Sequence, residues 1–172
     1  MEKIHAHLVG NSVSSNSQDA FTLYRKSGFG EPIGEKMQYS MPEALFLVEK
    51  NRIKLFYKSK ELSFREFMKK ANSSDKRMSI KYPVFKNLRE KGYVVKTALK
   101  FGADFRVYDY GFQQGKGHAK WIVFVDQESG KLTWHEFSAK NRVAHSTKKN
   151  LLLAIVDEEG DISYYEVRWL KP

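Results

Sequence analysis

Leu151-Leu-Leu-Ala-Ile-Val156 is an unbroken apolar run of strand length, with no polar residue at alternate positions. A strand with one wet face alternates, so a run that does not alternate is expected to be covered on both faces. Trp121-Ile-Val-Phe-Val125 reads the same way. Residues 133 to about 146 lie between these runs with a helical pattern, and a helix there would cover one face of a sheet containing both. Three further β-rich runs, at residues 93–98, 103–108 and 162–169, bring the expected strands of this half to five. The turn Asp157-Glu-Glu-Gly-Asp161 joins the last two as a hairpin with an acidic tip.

Upstream, the pattern is that of a smaller mixed domain. Residues 4–9 read as a short strand, and 11–17 as a Ser- and Asn-rich loop. A glycine-punctuated stretch, 28–34, follows. Ser40-Met-Pro-Glu43 has capping-box spacing with proline in the first turn, ahead of Ala44, Leu45, Leu47 and Val48 at helical spacing. Residues 52–57 alternate as a strand, and Ser63-Phe-Arg-Glu66 offers a second capping box for a helix to about Ala71. The polar stretch Asn72-Ser-Ser-Asp75 is a candidate boundary. A helix is expected from about Ser79 to Gly92, with Pro83 early in it. The expected organisation is therefore α+β (mixed α/β): a small N-terminal α/β domain, residues 1–80, and a C-terminal domain, 81–172, with a central mixed sheet of about five strands flanked by helices.

The 172 residues are 41% hydrophobic and 14% aromatic, enough to offset the chain entropy lost on folding. Thirty Lys and Arg stand against 20 Asp and Glu, a net charge of +10, whose field attracts polyanions, nucleic acid foremost. The absence of cysteine excludes a disulfide framework, a thiol nucleophile and a Cys-based zinc site. Residues 1–10 contain His5 and His7 and no uninterrupted apolar core, unlike a signal peptide. No window approaches the roughly 18 apolar residues of a membrane span. A soluble, cytoplasmic protein is expected.

Cleaving a phosphodiester in RNA takes a base for the 2′-hydroxyl proton, an acid for the leaving 5′-oxygen and a cation for the transition-state charge. Tyr108 ends an expected strand, His118 follows the glycine-containing segment 111–117, expected to be flexible, and Lys149 immediately precedes a buried strand. Strand ends and loops are where a rigid sheet presents such groups. Taken singly, each has a plain alternative: a strand tyrosine, a loop histidine, a solvated lysine paired with Lys148. His135, beside Trp134, reads as a packing residue, whereas His145, close to Lys149, stays a competing histidine.

Together, these residues carry a resemblance. Lys100-Phe-Gly-Ala-Asp-Phe-Arg-Val-Tyr108 resembles the strand segment of the tRNA-splicing endonucleases, Gly117-His-Ala119 their histidine loop, and His145-Ser-Thr-Lys-Lys-Asn-Leu-Leu-Leu153 their lysine segment, in matching order over about residues 80 to 172. The closing stretch 154–165 is similar to the end of the archaeal enzymes, and the first half resembles their N-terminal domain more loosely. The resemblance implies Tyr108 as general base, His118 as general acid and Lys149 as the cation on the pentacovalent phosphate, with 2′,3′-cyclic phosphate and 5′-hydroxyl products and no metal or other cofactor. A free tyrosine, with pKa near 10, is only about 0.1% ionised at neutral pH, so a neighbouring cation would serve the base.

It further implies that Arg142 and Trp169 sandwich a bulged base, since every base has a π face. The substrate implied is a bulge-helix-bulge in precursor tRNA. The acidic tip, Asp157 to Asp161, would dock into a basic pocket of another subunit of a homotetramer. One departure concerns Asp109-Tyr-Gly-Phe-Gln-Gln-Gly-Lys-Gly117, which lacks the Pro-Gly-Asp-Pro turn of many relatives and so makes Tyr110 a competitor of Tyr108. Tyr108 is preferred because it follows the matching Phe-Arg-Val.

Two other classes fit a basic mixed-sheet protein. A metal-dependent DNA nuclease needs carboxylates for Mg²⁺, and its usual Asp/Glu-x-Lys element is absent here. A non-catalytic RNA-binding subunit of the same family would lack the set Tyr108, His118 and Lys149.

Overall fold

The computed structural model describes residues 3–111 and 117–172, which form two compact units, Met1–Tyr82 and Pro83–Pro172. Five residues of the glycine-containing segment, 112–116, lie outside the described residues. The architecture is mixed α+β, with one sheet in each unit.

In the first unit the order is β1 (Ile4–Val9), β2 (Ser12–Ser15), α1 (Gln18–Ser27), β3 (Glu31–Ile33), β4 (Lys36–Tyr39), α2 (Met41–Glu49), β5 (Ile53–Tyr57), β6 (Lys60–Glu61) and α3 (Phe64–Ser74). The strands form a sheet in the order β3-β4-β2-β1-β5-β6, in which β1 and β5 pair in parallel. Two of these elements differ from expectation. The Ser- and Asn-rich stretch 11–17 contains β2, held antiparallel between β1 and β4, with Val13 and Ser15 turned inward. Its last residue, Ser17, caps α1 by accepting from the Ala20 N–H at 3.3 Å. The polar stretch 72–75 is mostly the last turn of α3, where the hydroxyls of Ser73 and Ser74 bond back to the carbonyls of Lys69 and Lys70.

Both capping boxes of this unit form. The Ser40 and Ser63 N–H groups donate to the carboxylates of Glu43 and Glu66 at 3.0 and 2.9 Å. Glu43 is buried, and its second oxygen accepts from the Gly30 N–H at 3.0 Å, so one carboxylate serves a helix start and a loop. Gly30 is needed there: at φ 78 a Cβ would meet Met37 at 2.8 Å.

A helix, α4 (Met78–Glu90), leads into the second unit and carries Pro83, which has no N–H to return to Ser79. Then come β7 (Val94–Ala98), a 3₁₀ turn (Leu99–Phe101), β8 (Ala103–Tyr108), β9 (Trp121–Gln127), α5 (Trp134–Ser146), β10 (Asn150–Val156) and β11 (Ile162–Val167). The five strands are ordered β11-β10-β9-β8-β7, with β9 and β10 parallel and every other neighbour antiparallel. In keeping with their unalternating runs, β9 and β10 are both interior strands, with β9 in the middle. Ile122, Phe124 and Leu151 pack with Ala144, Phe137 and Val143 of α5 on one face. On the other face Phe105 meets Phe85, rings 5.7 Å apart, and the Tyr164 hydroxyl donates to Asn87.

The start of α5 is fixed by a third box, in which the Glu136 N–H donates to the Thr133 hydroxyl and the Thr133 N–H to the Glu136 carboxylate, at 3.2 and 2.8 Å. Thr133→Ala removes one half of it. A loss of about 1 kcal/mol is expected, read as a melting temperature lower by roughly 2–4 °C.

Among the described residues no helix is long and apolar enough to cross a membrane.

Candidate active site

Strand direction decides what meets at each end of the second sheet. Because β8 runs antiparallel to β9, and β9 parallel to β10, the C-terminal end of β8 lies beside the N-terminal ends of the other two. Val107, Trp121 and Asn150 stand in one register row. The backbone bonds Lys120 N–H to Val107 C=O, 2.8 Å, and Asn150 N–H to Lys120 C=O, 3.0 Å, carry the pairing one step further. That step contains Tyr108, Lys120 and Lys149. Two strand spacings separate the first from the last, roughly 10 Å between their backbones, a span that their side chains can bridge.

Faces follow from the two-residue period. Arg106 pairs with Ile122, which pairs with Leu151, so Tyr108, two residues beyond Arg106, belongs to the face covered by α5. The guanidinium carbon of Arg106 lies 5.9 Å from the Tyr108 ring centre. On the neighbouring strand β7, buried Lys96 is the register partner of Arg106. Asp104, also buried, shares the face and accepts from the Val125 N–H at 2.8 Å.

Lys149 is delivered by a tight exit from α5. The Thr147 hydroxyl donates to the Val143 carbonyl, Lys148 takes a left-handed φ of 56, and the Lys149 N–H donates to the Ala144 carbonyl at 2.9 Å. The chain thus turns from helix into β10 within three residues. The Lys149 ammonium donates to the Thr147 carbonyl at 2.7 Å and lies 5.7 Å from the Phe101 ring centre. Partial burial, followed by the charge of Arg106, holds its pKa below the ordinary lysine value. A cation kept partly out of water interacts more strongly with a phosphate than a solvated one.

His118 is exposed and leads into β9, with Ala119 after it buried as an anchor. It therefore sits at the same end of the sheet as Tyr108 and Lys149. His135 does not: it is in the first turn of α5, toward the far end. It was expected to pack, yet it is exposed, and Trp134 beside it is 82% exposed.

Arg142 is exposed on α5, and Trp169 lies just beyond β11, which ends at Val167 short of the expected 169. Trp169 meets His145, one helical turn after Arg142, with ring centres 4.5 Å apart and planes tilted by 50°. The acidic tip is at the opposite end of the sheet, where Asp157 Oδ1 accepts from the N–H groups of Glu159 and Asp161 and leaves Glu158, Glu159 and Asp161 exposed.

The two competing tyrosines part company. Tyr110 turns to the other face, where its ring lies 4.3 Å from that of Tyr93, which in turn meets Trp121 edge-on at 5.4 Å. The hydrogen bond with Tyr110 pushes the Tyr93 hydroxyl up to about 12. Sequence reasoning overlooked Arg106 and Lys120. Arg106 had a visible signal, being a cation within a β-rich run, two positions before Tyr108 and so on its face. Among the described residues no three His, Asp or Glu side chains come together as a set that could hold a metal ion.

Comparison with known proteins agrees along the whole chain. Residues 4–68 match the tRNA intron endonuclease N-terminal domain, and residues 78–164 match the tRNA intron endonuclease catalytic C-terminal domain. A tRNA-splicing endonuclease of Pyrococcus horikoshii is 44% identical, over 98% of this chain and 97% of its own length. That of Pyrococcus abyssi is 42% identical over the same shares, and that of Nanoarchaeum equitans 46% identical over 76% of this chain and 87% of its own. With both domain matches present in order and archaeal relatives aligned nearly end to end, the chain belongs to the tRNA intron endonuclease family and carries its catalytic domain.

Proposed function

We propose that this chain excises introns from precursor tRNA by cutting both splice sites of a bulge-helix-bulge, through metal-independent transesterification. The observation that carries the reading is the convergence of Tyr108, His118 and Lys149 at one end of one sheet, with Lys149 partly withdrawn from water. Tyr108 takes the proton of the 2′-hydroxyl, and the freed oxygen attacks the adjacent phosphorus. The bond from phosphorus to the 5′-oxygen breaks as His118 gives that oxygen a proton. Lys149 offsets the negative charge on the pentacovalent phosphate. The products are a 2′,3′-cyclic phosphate and a 5′-hydroxyl, and proton exchange with solvent resets the two residues.

Arg142 and Trp169 take a bulged base between them. In the free chain His145 touches the Trp169 ring at a tilt of 50°, so a base stacking on that side displaces it. A substrate with two related bulges suits a two-fold symmetric assembly, which we read as a homotetramer with the acidic tip Asp157 to Asp161 seated in a basic pocket of a neighbouring copy. The net charge of +10 provides for such a pocket. The N-terminal domain, residues 1–80 in this reading, supports the catalytic domain, 81–172, and the work is done in the cytoplasm.

The test is a labelled precursor tRNA with a bulge-helix-bulge, incubated in EDTA, with analysis of the product ends. Cleavage at both bulges with cyclic phosphate ends is expected. Cleavage only after Mg²⁺ is restored would overturn the mechanism, and binding without cleavage in either buffer would make the chain a non-catalytic subunit.

A further inference from the structure

Tyr110, Tyr93 and Trp121 form a ladder of rings running from the surface into the second unit. Trp121 is buried at 8% exposure, and its indole N–H is fixed by the Glu166 carboxylate at 2.8 Å. Tyr93 meets it edge-on, and Tyr110 lies over Tyr93 with ring centres 4.3 Å apart and planes 31° apart. Tyr110 nevertheless remains 60% exposed, so one ring face is held while the other is open to solvent. Beneath it Gly92 keeps the space clear: at φ 92, a Cβ there would approach the Tyr110 ring to 3.1 Å. At the foot of the ladder, the Lys120 ammonium lies 4.3 Å from the Trp121 ring centre and 3.7 Å from the carboxylate of Asp109, the residue before Tyr110.

This arrangement is costly for an idle surface residue. A loop tyrosine with no task gains little from being packed on a second ring and left largely bare, whereas an aromatic ring held on one side and wet on the other is what an unpaired base stacks upon. A lysine at the foot of the ladder, paired with the residue before Tyr110, supplies a partner for the phosphate that accompanies the base. Tyr110 is two residues from Tyr108 but belongs to the opposite face of the sheet end.

We propose that Tyr110, backed by Tyr93 with Lys120 at the foot of the ladder, is a second base-stacking subsite, which takes an unpaired nucleotide next to the scissile phosphate as the RNA strand wraps around the end of the sheet. The subsite is distinct from Arg142 and Trp169, which lie toward α5 and β11. It rests on the reading that the chain cleaves RNA at Tyr108. It also assigns Tyr110 a role in binding, leaving proton transfer to Tyr108.

The experiment uses the full chain and a bulge-helix-bulge RNA with 2′-deoxy nucleotides at both cut sites, which binds without being cut. A set of these RNAs carries a single abasic nucleotide at each position flanking a cut site. Wild type is expected to lose about 5- to 150-fold in affinity at one flanking position. Tyr110→Ala should lose a similar factor on the intact RNA and suffer no further loss from that abasic site, while Tyr110→Phe keeps wild-type affinity because the ring remains. If the abasic penalty persists undiminished in Tyr110→Ala, or no flanking position matters to wild type, the subsite is overturned and Tyr110 is a loop anchor. Cleavage of the unmodified RNA by wild type, run in parallel, reports separately on the reading beneath it.

Discussion

His118→Ala is expected to slow cleavage of a bulge-helix-bulge RNA by about 10²- to 10⁴-fold, the range typical of a positioned acid or base. Substrate affinity should stay near that of wild type, because the lost interaction belongs to the transition state. Stability should stay within about 0.5 kcal/mol, since the imidazole is exposed and the buried Ala119 holds the chain's entry into β9. Two measurements check this: single-turnover cleavage at saturating enzyme, and a thermal melt. If cleavage is unchanged in a folded protein, His118 is not the acid. Tyr108→Phe, which deletes only the hydroxyl, should fall in the same range. Combined with His118→Ala, it should cost less than the product of the two single losses, because base and acid serve one step.

Lys149→Met is expected to lower the cleavage rate by about 10²- to 10³-fold, the usual effect of removing one group aimed at developing charge. Its effect on stability has a pH signature. Folding holds the Lys149 pKa below 10.5, first through burial and then through Arg106. The folded state therefore releases this proton at a lower pH than the unfolded state does. Below the folded pKa the charged ammonium weighs against folding in full. As pH rises from there toward 10.5, the unfolded chain still binds the proton and the folded one does not, so this group's contribution to stability increases with pH. Lys149→Met lacks that contribution. Its stability relative to wild type should thus be most favourable at neutral pH and decline on going alkaline. Melting both proteins across that range tests the point; a constant difference would mean that Lys149 is as well solvated when folded as when unfolded. The same depressed affinity should make wild-type cleavage lose its cation earlier on the alkaline side than an ordinary lysine would.

Much of the architecture could be read from residues that act on near neighbours. Capping boxes reach three residues, and those at Ser40 and Ser63 formed where their spacing placed them. The unalternating runs at 121–125 and 151–156 announced strands covered on both faces, and they are neighbouring interior strands of the sheet. Where neighbours conflicted with tertiary pairing, the local signal misled. Ser12–Ser15 has loop composition but gains backbone partners on both sides from β1 and β4, and inward-facing Val13 is fully buried. Serines near the end of α3 resemble a linker, yet their hydroxyls bond within the helix.

Tyr108, His118 and Lys149 were legible only as types at suggestive positions, and a resemblance was needed to choose among several tyrosines, histidines and lysines. The sequence by itself determined which segments become strands and helices, where the helices start, and that the chain carries a positive field, because these depend on local periodicity, short-range hydrogen bonds and summed charge. The tertiary structure decided which side chains meet. A shift of one residue in β-register sends a side chain to the opposite face, so the placing of Arg106 beside Tyr108, the partial burial of Lys149, the contact of Trp169 with His145 and the turning of Tyr110 onto Tyr93 depend on pairings between strands and packing against helices far apart in the chain.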